Sequence, residues 1–436
     1  MSTLALGFAS FPLLLALIVA RAPIGLAMLL VGAAGLTLAT GGPNMVLARL
    51  KTESFSTFAS YSLAVIPMFL LMGQFATRGG MSRALFRAAG AWVGHWRGGL
   101  AMAAVAACAG FGAICGSSLA TAATMGQVAL PELKRAGYSG GFSAATLAAG
   151  GTLGILIPPS VVLVVYAILT ETNIAKLFLA ALLPGVLAAV GYALTIAAYV
   201  RRYPQAAGAG TRAPLAERWH ATLAVWPVLA IFALVVGGIF GGWFTPTEGA
   251  ALGAAGTGLM AFAAGGLGWR GLADALLETA RTSAMIFFII LGAALFNGFL
   301  AYARVPQEMS AFVAGLGLGP FMVLALILLF YLVLGCVMDS LSMILLTVPI
   351  FWPLVAGLDF GLPPGAVAVW FGVLVLIAVE VGMITPPVGM NLFVIGALDR
   401  GTPMSASYGA VAWFVVADLV RVVLLVAFPG IVLFLL

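Results

Sequence analysis

Charge is scarce in this chain. Only 7% of its 436 residues are Asp, Glu, Lys or Arg, while 63% are hydrophobic. A soluble domain carries about 25% charged residues, so no water-facing domain of useful size is left over, and the composition is that of a polytopic membrane protein. Cysteine and histidine are just as sparse. Cys108, Cys115 and Cys336 all fall in apolar stretches and read as small core residues, with neither a disulfide framework nor metal-ligand spacing. The histidines, His95 and His220, stand far apart near span ends, which argues against a histidine metal site. The sequence has no phosphate loop, no His-Glu-x-x-His and no plausible Ser-His pair in an apolar run. The Gly315–Gly319 stretch is too isolated to be a nucleotide motif. The chain therefore reads as a non-enzyme without an organic cofactor. Without a nucleotide-binding domain, its energy must come from an ion gradient.

The net charge of +6 does not point to nucleic acid, because the basic residues cluster in short loops. Arg78, Arg83, Arg87 and Arg97 form one cluster, Lys134 and Arg135 a second, and Arg201, Arg202, Arg212 and Arg218 a third. Such clusters mark the cytoplasmic face and meet anionic membrane lipid. The apolar run Leu4 to Ala20 lacks a basic leader and an obvious cleavage site, so it reads as a retained span. Whole spans are expected near 4–20, 23–40, 61–77, 142–169, 174–200, 222–241, 247–266, 283–300, 365–398 and 407–435. The regions 100–129 and 321–356 are apolar but interrupted by Gly, Ser, Asp and Pro. They read as re-entrant helical hairpins, since irregular backbone at that depth must line a cavity or be buried in protein. With this count every basic cluster lies inside if both termini lie outside, and Arg49, Lys51, Lys176 and Arg304 stay outside. The segment 78–99, with Trp92 and Trp96 among arginines, suits a helix lying in the interface.

What the chain does have is a pair of proline-proline breaks at matching places. One is Gly154-Ile155-Leu156-Ile157-Pro158-Pro159-Ser160 and the other is Gly382-Met383-Ile384-Thr385-Pro386-Pro387-Val388-Gly389-Met390-Asn391. Proline removes a donor and clashes with the preceding turn, so 142–169 and 365–398 should be broken spans. Each half runs span, surface segment, hairpin, broken span, span, which is the order of an inverted repeat. The expected fold is all-α, divided into N-terminal scaffold helices (1–60), a first repeat (61–200), a linker with central scaffold helices (201–282) and a second repeat (283–436). Within the third part, 201–218 is the main polar linker.

The hairpin tips and the breaks carry the chemistry. The first tip, Cys115-Gly116-Ser117-Ser118-Leu119-Ala120-Thr121, offers hydroxyls and freed carbonyls as hard oxygen ligands. Small residues and serines also simply pack helices together. In the second tip, Asp339 stands in an apolar run, where a carboxylate costs at least about 2.5 kcal/mol and needs a partner. That partner is either a cation or the backbone N–H groups of a helix it caps. At each break the prolines can open a new half-helix. Its N-terminus suits a carboxylate, and the end of the preceding half-helix offers carbonyls to a small cation. Ser160, Thr385 and Asn391 add side-chain groups there. Arg421 lies three residues from Asp418, the spacing of a structural ion pair. Glu248 in Thr245-Pro246-Thr247-Glu248-Gly249 reads as capping, and Glu380 could pair, cap or bind a proton.

These motifs resemble the large membrane subunit of the tripartite ATP-independent periplasmic (TRAP) transporters. The likeness runs from about Pro23 onward and includes Gly116 to Thr121, Gly137-Tyr138, Gly151 to Ser160, Leu177-Phe178, Pro184-Gly185, Thr245 to Glu248 and Thr385 to Phe393. The resemblance implies a sodium-driven, elevator-type importer of organic acids in a bacterial inner membrane. In such an importer the hairpins and broken helices move as a transport domain against a scaffold. It also implies a small four-helix membrane subunit, here a separate chain, and a periplasmic substrate-binding protein. Sodium ligands are implied at Ser117, Ser118 and Thr121 for one site and at Asp339, Thr385 and Gly389 for another. The carboxylate is expected at Ser117, Ser118, Ser160, Thr385 and Asn391. A stand-alone sodium/carboxylate symporter of similar architecture is the rival expectation, and an intramembrane enzyme or lipid-handling scaffold is a more distant one.

Overall fold

In hydrocarbon a backbone must satisfy its own hydrogen bonds, and a helix does so within one segment. The apolar runs accordingly fold as helices, and among the described residues there is no strand. The computed structural model of the chain describes residues 2–208, 210, 212–363 and 365–436. Helices α1 (Thr3–Val19), α2 (Ile24–Thr40) and α3 (Asn44–Phe58) come first. A set of seven follows: α4 (Val65–Arg78), α5 (Met81–Val93), α6 (Gly99–Cys115), α7 (Ser118–Arg135), α8 (Gly140–Leu156), α9 (Val161–Leu169) and α10 (Ile174–Arg202). After α11 (Leu215–Phe240) and α12 (Pro246–Ala263) the same order of parts returns. It comprises α13 (Trp269–Tyr302), α14 (Val305–Gly315), α15 (Pro320–Gly335), α16 (Ser340–Ala356), α17 (Ala366–Ile384), α18 (Met390–Leu398) and α19 (Met404–Ala427), with a short α20 (Gly430–Leu433) beyond.

The packing repeats with the order. Helix α6 packs on α8 as α15 packs on α17. Between the repeats, α7 packs on α18 as α16 packs on α9, and α8 packs on α19 as α17 packs on α10. These contacts exchange with one another when the repeats are exchanged, which is the mark of a two-fold relation. Glycine makes the closest crossings possible in both halves. A Cβ on Gly112 would stand 2.8 Å from the nitrogen of Gly154, and one on Gly335 would stand 2.9 Å from the Cα of Gly382. Each hairpin helix therefore lies directly against the half-helix that leads into its break.

Helix α17 is the centre of the molecule, since 94% of its most apolar window is buried by protein. A helix apolar all round has nothing to present to water, and here it is wrapped by other helices rather than lipid. Helices α10, α11, α13, α17 and α19 are each long and apolar enough to cross a bilayer alone, and α8 with α9 forms a span bent by 46°. Helices α1 and α2, 17 residues each, reach about 25 Å at 1.5 Å per residue, the short end of what spans a membrane.

Several boundaries differ from the sequence expectation. The span expected at 61–77 is a 3-10 turn, Tyr61–Ala64, leading into α4. It is joined through a 52° bend to α3, for which hydropathy gave no span. Helix α3 escapes that signal because Arg49, Lys51 and Glu53 lie along it. The division placed at 282/283 falls inside α13, which runs unbroken for 34 residues. Nothing between Trp269 and Tyr302 is proline, so the helix has no cause to stop. The last span, expected over 407–435, ends at Ala427, and Pro429 precedes the separate turn α20. The polar linker expected over 201–218 shrinks to 203–214 because α10 and α11 extend into it, and Ala209 and Thr211 lie outside the described residues. Helix α5 is amphipathic as expected, burying Met81, Leu85 and Phe86. It is fastened to α11, with Trp92 Nε1 donating to Thr222 Oγ1 at 2.9 Å and the Arg218 guanidinium 5.6 Å from the Trp92 ring.

Candidate functional site

The two hairpin tips come together. A cavity of about 140 Å³ is lined by Gly116, Ser117 and Ser118 of the first tip and by Asp339, Ser340 and Leu341 of the second. Leu119 of α7, Ile155 of α8, Val161 and Val162 at the start of α9, Met383 near the end of α17, Leu70 of α4, and Thr282 and Ile286 of α13 complete its wall. Both tips turn sharply into helices for the same local reason, a short polar side chain at the N-cap. Ser117 accepts from the N–H of Ala120 at 3.4 Å, and Asp339 Oδ2 accepts from the N–H of Ser342 at 3.0 Å. The capping alternative for Asp339 is thus realised through one carboxylate oxygen, and the residue also lines the cavity. Ser117 and Asp339 occupy corresponding places in the two repeats, and both α7 and α16 present their N-terminal partial positive charge there.

Not every expected residue reaches the cavity. Ser160 is fully buried as the N-cap of α9, accepting from the N–H of Leu163 at 3.4 Å. Thr385 caps α17 and returns its hydroxyl hydrogen to the carbonyl of Val381 at 2.6 Å. Asn391 is fully buried and donates through Nδ2 to Ser118 Oγ at 2.7 Å and to the carbonyl of Ala148 at 3.2 Å. Ser160, Thr385 and Asn391 do not line the cavity, and the buried Oδ1 of Asn391 has no hydrogen-bond partner. Thr121 and Gly389 also lie off the cavity wall.

Thr121 and Gly389 instead belong to two cradles that a Cβ would fill. At Gly154 an added Cβ would stand 2.8 Å from the carbonyl oxygen of Ser117 and against Thr121 Oγ1. Thr121 is fully buried, and its hydroxyl has no hydrogen-bond partner. At Gly389, whose φ is +65°, an added Cβ would stand 3.2 Å from the carbonyl oxygen of Ile384 and 3.3 Å from that of Thr385. Each break thus gathers uncharged oxygens around a glycine, a donor set that suits a hard monovalent cation. The breaks also touch the hairpins. A Cβ on Gly116 would meet the carbonyl oxygen of Pro159 at 3.2 Å, and the sulfur of Cys336 lies 3.6 Å from the carbonyl oxygen of Pro386 and 3.3 Å from that of Leu332.

Two links were not assigned from the sequence. Ser340 Oγ donates to Glu380 Oε1 at 2.5 Å, in the interior, and Glu380 Oε2 has no partner. With the Asn391–Ser118 bond, this ties both hairpin tips to one unit, α17–α18, on either side of its break. The only signal for the link was a glutamate in an apolar run, which left its role open. The second link is a buried chain behind α8. Thr152 Oγ1 lies 2.9 Å from the Tyr192 hydroxyl, which donates to Asp418 Oδ2 at 2.8 Å, and Arg421 Nη2 lies 2.9 Å from Asp418 Oδ1. The expected ion pair is present and structural, remote from the cavity wall. Glu248 caps α12 with Thr245 in a reciprocal pair of hydrogen bonds, also as expected.

Comparison with known proteins agrees with this arrangement. The family model described as the tripartite ATP-independent periplasmic transporter, DctM component, matches residues 11–431. The C4-dicarboxylate TRAP transporter large permease protein DctM of Pseudomonas aeruginosa is 39% identical over 399 residues, covering 91% of each chain. The isethionate TRAP transporter permease protein DctMQ of Oleidesulfovibrio alaskensis is 34% identical over 370 residues, which are 83% of this chain and 56% of that protein. The YdaH transporter of Alcanivorax borkumensis shares the fold, with a TM-score of 0.65 over 90% of both chains at 16% identity. A family match over nearly the whole length, with relatives that are permeases, closes the question of kind: the chain belongs to the DctM family of large membrane permeases of TRAP transporters.

Proposed function

We propose that this permease imports a short organic acid anion across a bacterial inner membrane, driven by a sodium gradient. The observation that carries the reading is the meeting of both hairpin tips at one cavity, with Ser117, Ser118 and Asp339 on its wall and uncharged oxygens gathered around a glycine at both breaks. The cavity is small beside the ~300–1,000 Å³ typical of drug-sized ligands, which favours a short acid. The relative that is 39% identical is named for C4-dicarboxylates, and we carry that class over as the substrate. Helix N-termini and hydroxyls would hold its carboxylates, with no covalent step.

Sodium is a co-substrate in this reading. One ion would sit among Ser117, Ser118 and Thr121 and another among Asp339, Thr385 and Gly389, where their charges offset the anion's. Hairpins and broken helices would then move together against the remaining helices. The bonds from Ser340 to Glu380 and from Asn391 to Ser118 make such a unit coherent. A separate small membrane subunit would complete the scaffold, and a periplasmic binding protein would deliver the acid on the face carrying both termini.

The test is uptake of labelled succinate into proteoliposomes. They contain this chain with a small membrane subunit and a periplasmic binding protein of the TRAP type. Uptake is expected only with all three components and an inward sodium gradient, and it is expected to be abolished by Asp339→Ala with membrane insertion intact. Uptake by the chain alone would establish the stand-alone symporter instead. Uptake indifferent to sodium, or normal coupled uptake by Asp339→Ala, would remove the ion assignment.

A further inference from the structure

A second, larger cavity lies away from the hairpin tips. It is a groove of about 1200 Å³ between α5, the last turns of α7 and the start of α11. Arg83 and Arg87, one turn apart on α5, line it with Arg135 of α7 and Arg212 just before α11. Only two carboxylates face them, Glu132 and Glu217. Glu132 is taken by Arg135 at 2.8 Å, and Glu217 sits in the first turn of α11, where the helix N-terminus already holds it. Among the described residues no acidic oxygen lies within 4 Å of Arg83, Arg87 or Arg212. Three exposed arginines that line one groove without a paired carboxylate make it a positive patch that attracts anions. Planar guanidinium forks match the oxygens of a phosphate.

Apolar Leu100, Val128, Ala221 and Ala224 share the wall with the polar side chains of Gln127 and His220. Trp92 and Trp96, 41% and 53% exposed, lie on and just after the same amphipathic helix. Exposed tryptophan beside arginine is the signature of headgroup depth. Along α11 the exposed surface continues with Leu223 and Trp226, 60% and 59% exposed, a face suited to acyl chains. A basic floor, a partly apolar wall and an interfacial rim are what a phosphate-bearing amphiphile needs.

We propose that this groove is a binding site for a phosphate group, supplied by the headgroup of an anionic phospholipid or by free phosphate. Its occupant would join the outgoing helix of the first hairpin to α5 and α11.

The test is native mass spectrometry of the delipidated, detergent-purified chain. Phosphatidylglycerol, phosphatidylcholine or inorganic phosphate is added. Wild type is compared with Arg83→Gln/Arg87→Gln/Arg212→Gln and with Arg201→Gln/Arg202→Gln, which removes charge elsewhere on the same face. A phosphatidylglycerol affinity at least about tenfold above that for phosphatidylcholine, lost in the groove variant and kept in the control, upholds the site with lipid as its source. Inorganic phosphate binding that follows the same pattern of variants, without lipid preference, upholds it with free phosphate as the source. Equal losses in both variants, or no preference for either probe in wild type, overturn it. Arg212→Glu alone, in an exposed loop, gives the same reading should the triple variant fail to fold.

Discussion

At Asp339 one carboxylate has two roles that a single substitution can separate. Asparagine caps a helix about as well as aspartate, whereas alanine does not. In sodium-free choline chloride Asp339→Asn should therefore keep the unfolding free energy within about 0.5 kcal/mol of wild type, while in proteoliposomes it loses sodium-coupled uptake. Asp339→Ala should lose uptake and about 1 kcal/mol of stability together. If Asp339→Asn transports normally, the residue is a cap and nothing more. Lys134 offers a contrast at the surface. Its ammonium lies 2.6 Å from Asp399 Oδ1, joining the end of α7 to the loop after α18. Burial pushes the Asp399 carboxyl up. Hydrogen bonds from Lys134 and Thr402, the Lys134 charge and the Gly401 N–H together outweigh burial and hold it below its usual range. The stability from this link is complete above the ordinary carboxylate range and disappears as pH falls through the depressed folded value. Lys134→Ala should cost about 1–2 kcal/mol at neutral pH. The difference from wild type should vanish in acid, as followed by unfolding midpoints across a pH series.

Elements in this molecule meet where side chains are missing. Helices α15 and α17 cross at Gly335 and Gly382, and a Cβ on Gly335 would also stand 2.8 Å from the carbonyl oxygen of Val379. The obstacle is backbone, which cannot swing aside. Gly335→Ala should destabilise by about 1–3 kcal/mol and loosen the second hairpin. Gly191, within α10, has nothing within 4 Å of its missing Cβ. Gly191→Ala should be neutral or stabilising by up to ~1 kcal/mol, since alanine is the better helix former. Equal midpoints for the two variants would show that the crossing is not tightly constrained. Both glycines lie in helical runs of similar composition, and no local pattern tells them apart.

The whole molecule places both hairpin tips on one unit, α17–α18, through Glu380 and Asn391. The corresponding positions of the first repeat, Thr152 and Val162, make no such links, so the repeat is symmetric in its packing and asymmetric in its hydrogen bonds. Sodium bound at these sites would stabilise only the folded chain, by RT ln(1 + [L]/Kd), about 2.7 kcal/mol at a hundred times Kd. The unfolding midpoint of the detergent-purified protein should be higher in sodium chloride than in choline chloride at equal ionic strength. Asp339→Asn should lose part of the difference, and Thr121→Val another part. Identical midpoints in the two salts would remove sodium from the folded chain's ligands.

The all-helical membrane fold, the two hairpins, the two breaks and their matched order were all legible in the sequence. These depend on composition, on proline and on the spacing of apolar runs, which act within one segment. Ser117, Ser118 and Asp339 stood out in the sequence as polar groups stranded in apolar turns, and all three line the cavity. The sequence left α3 unassigned because its charges mask its helix, and it gave no sign that Ser160 and Asn391 pack behind the cavity wall instead of on it. Which polar atom faces a cavity, which one caps a helix and which one binds a neighbour depends on where distant segments pack. Asn391 meets Ser118 across 273 residues, and Ser340 meets Glu380 across 40. Local sequence determined the kinds of parts, because helix formation and proline breaks are local. Only the tertiary structure decided which oxygens were left without partners, because a hydrogen bond between helices exists only once both helices are in place.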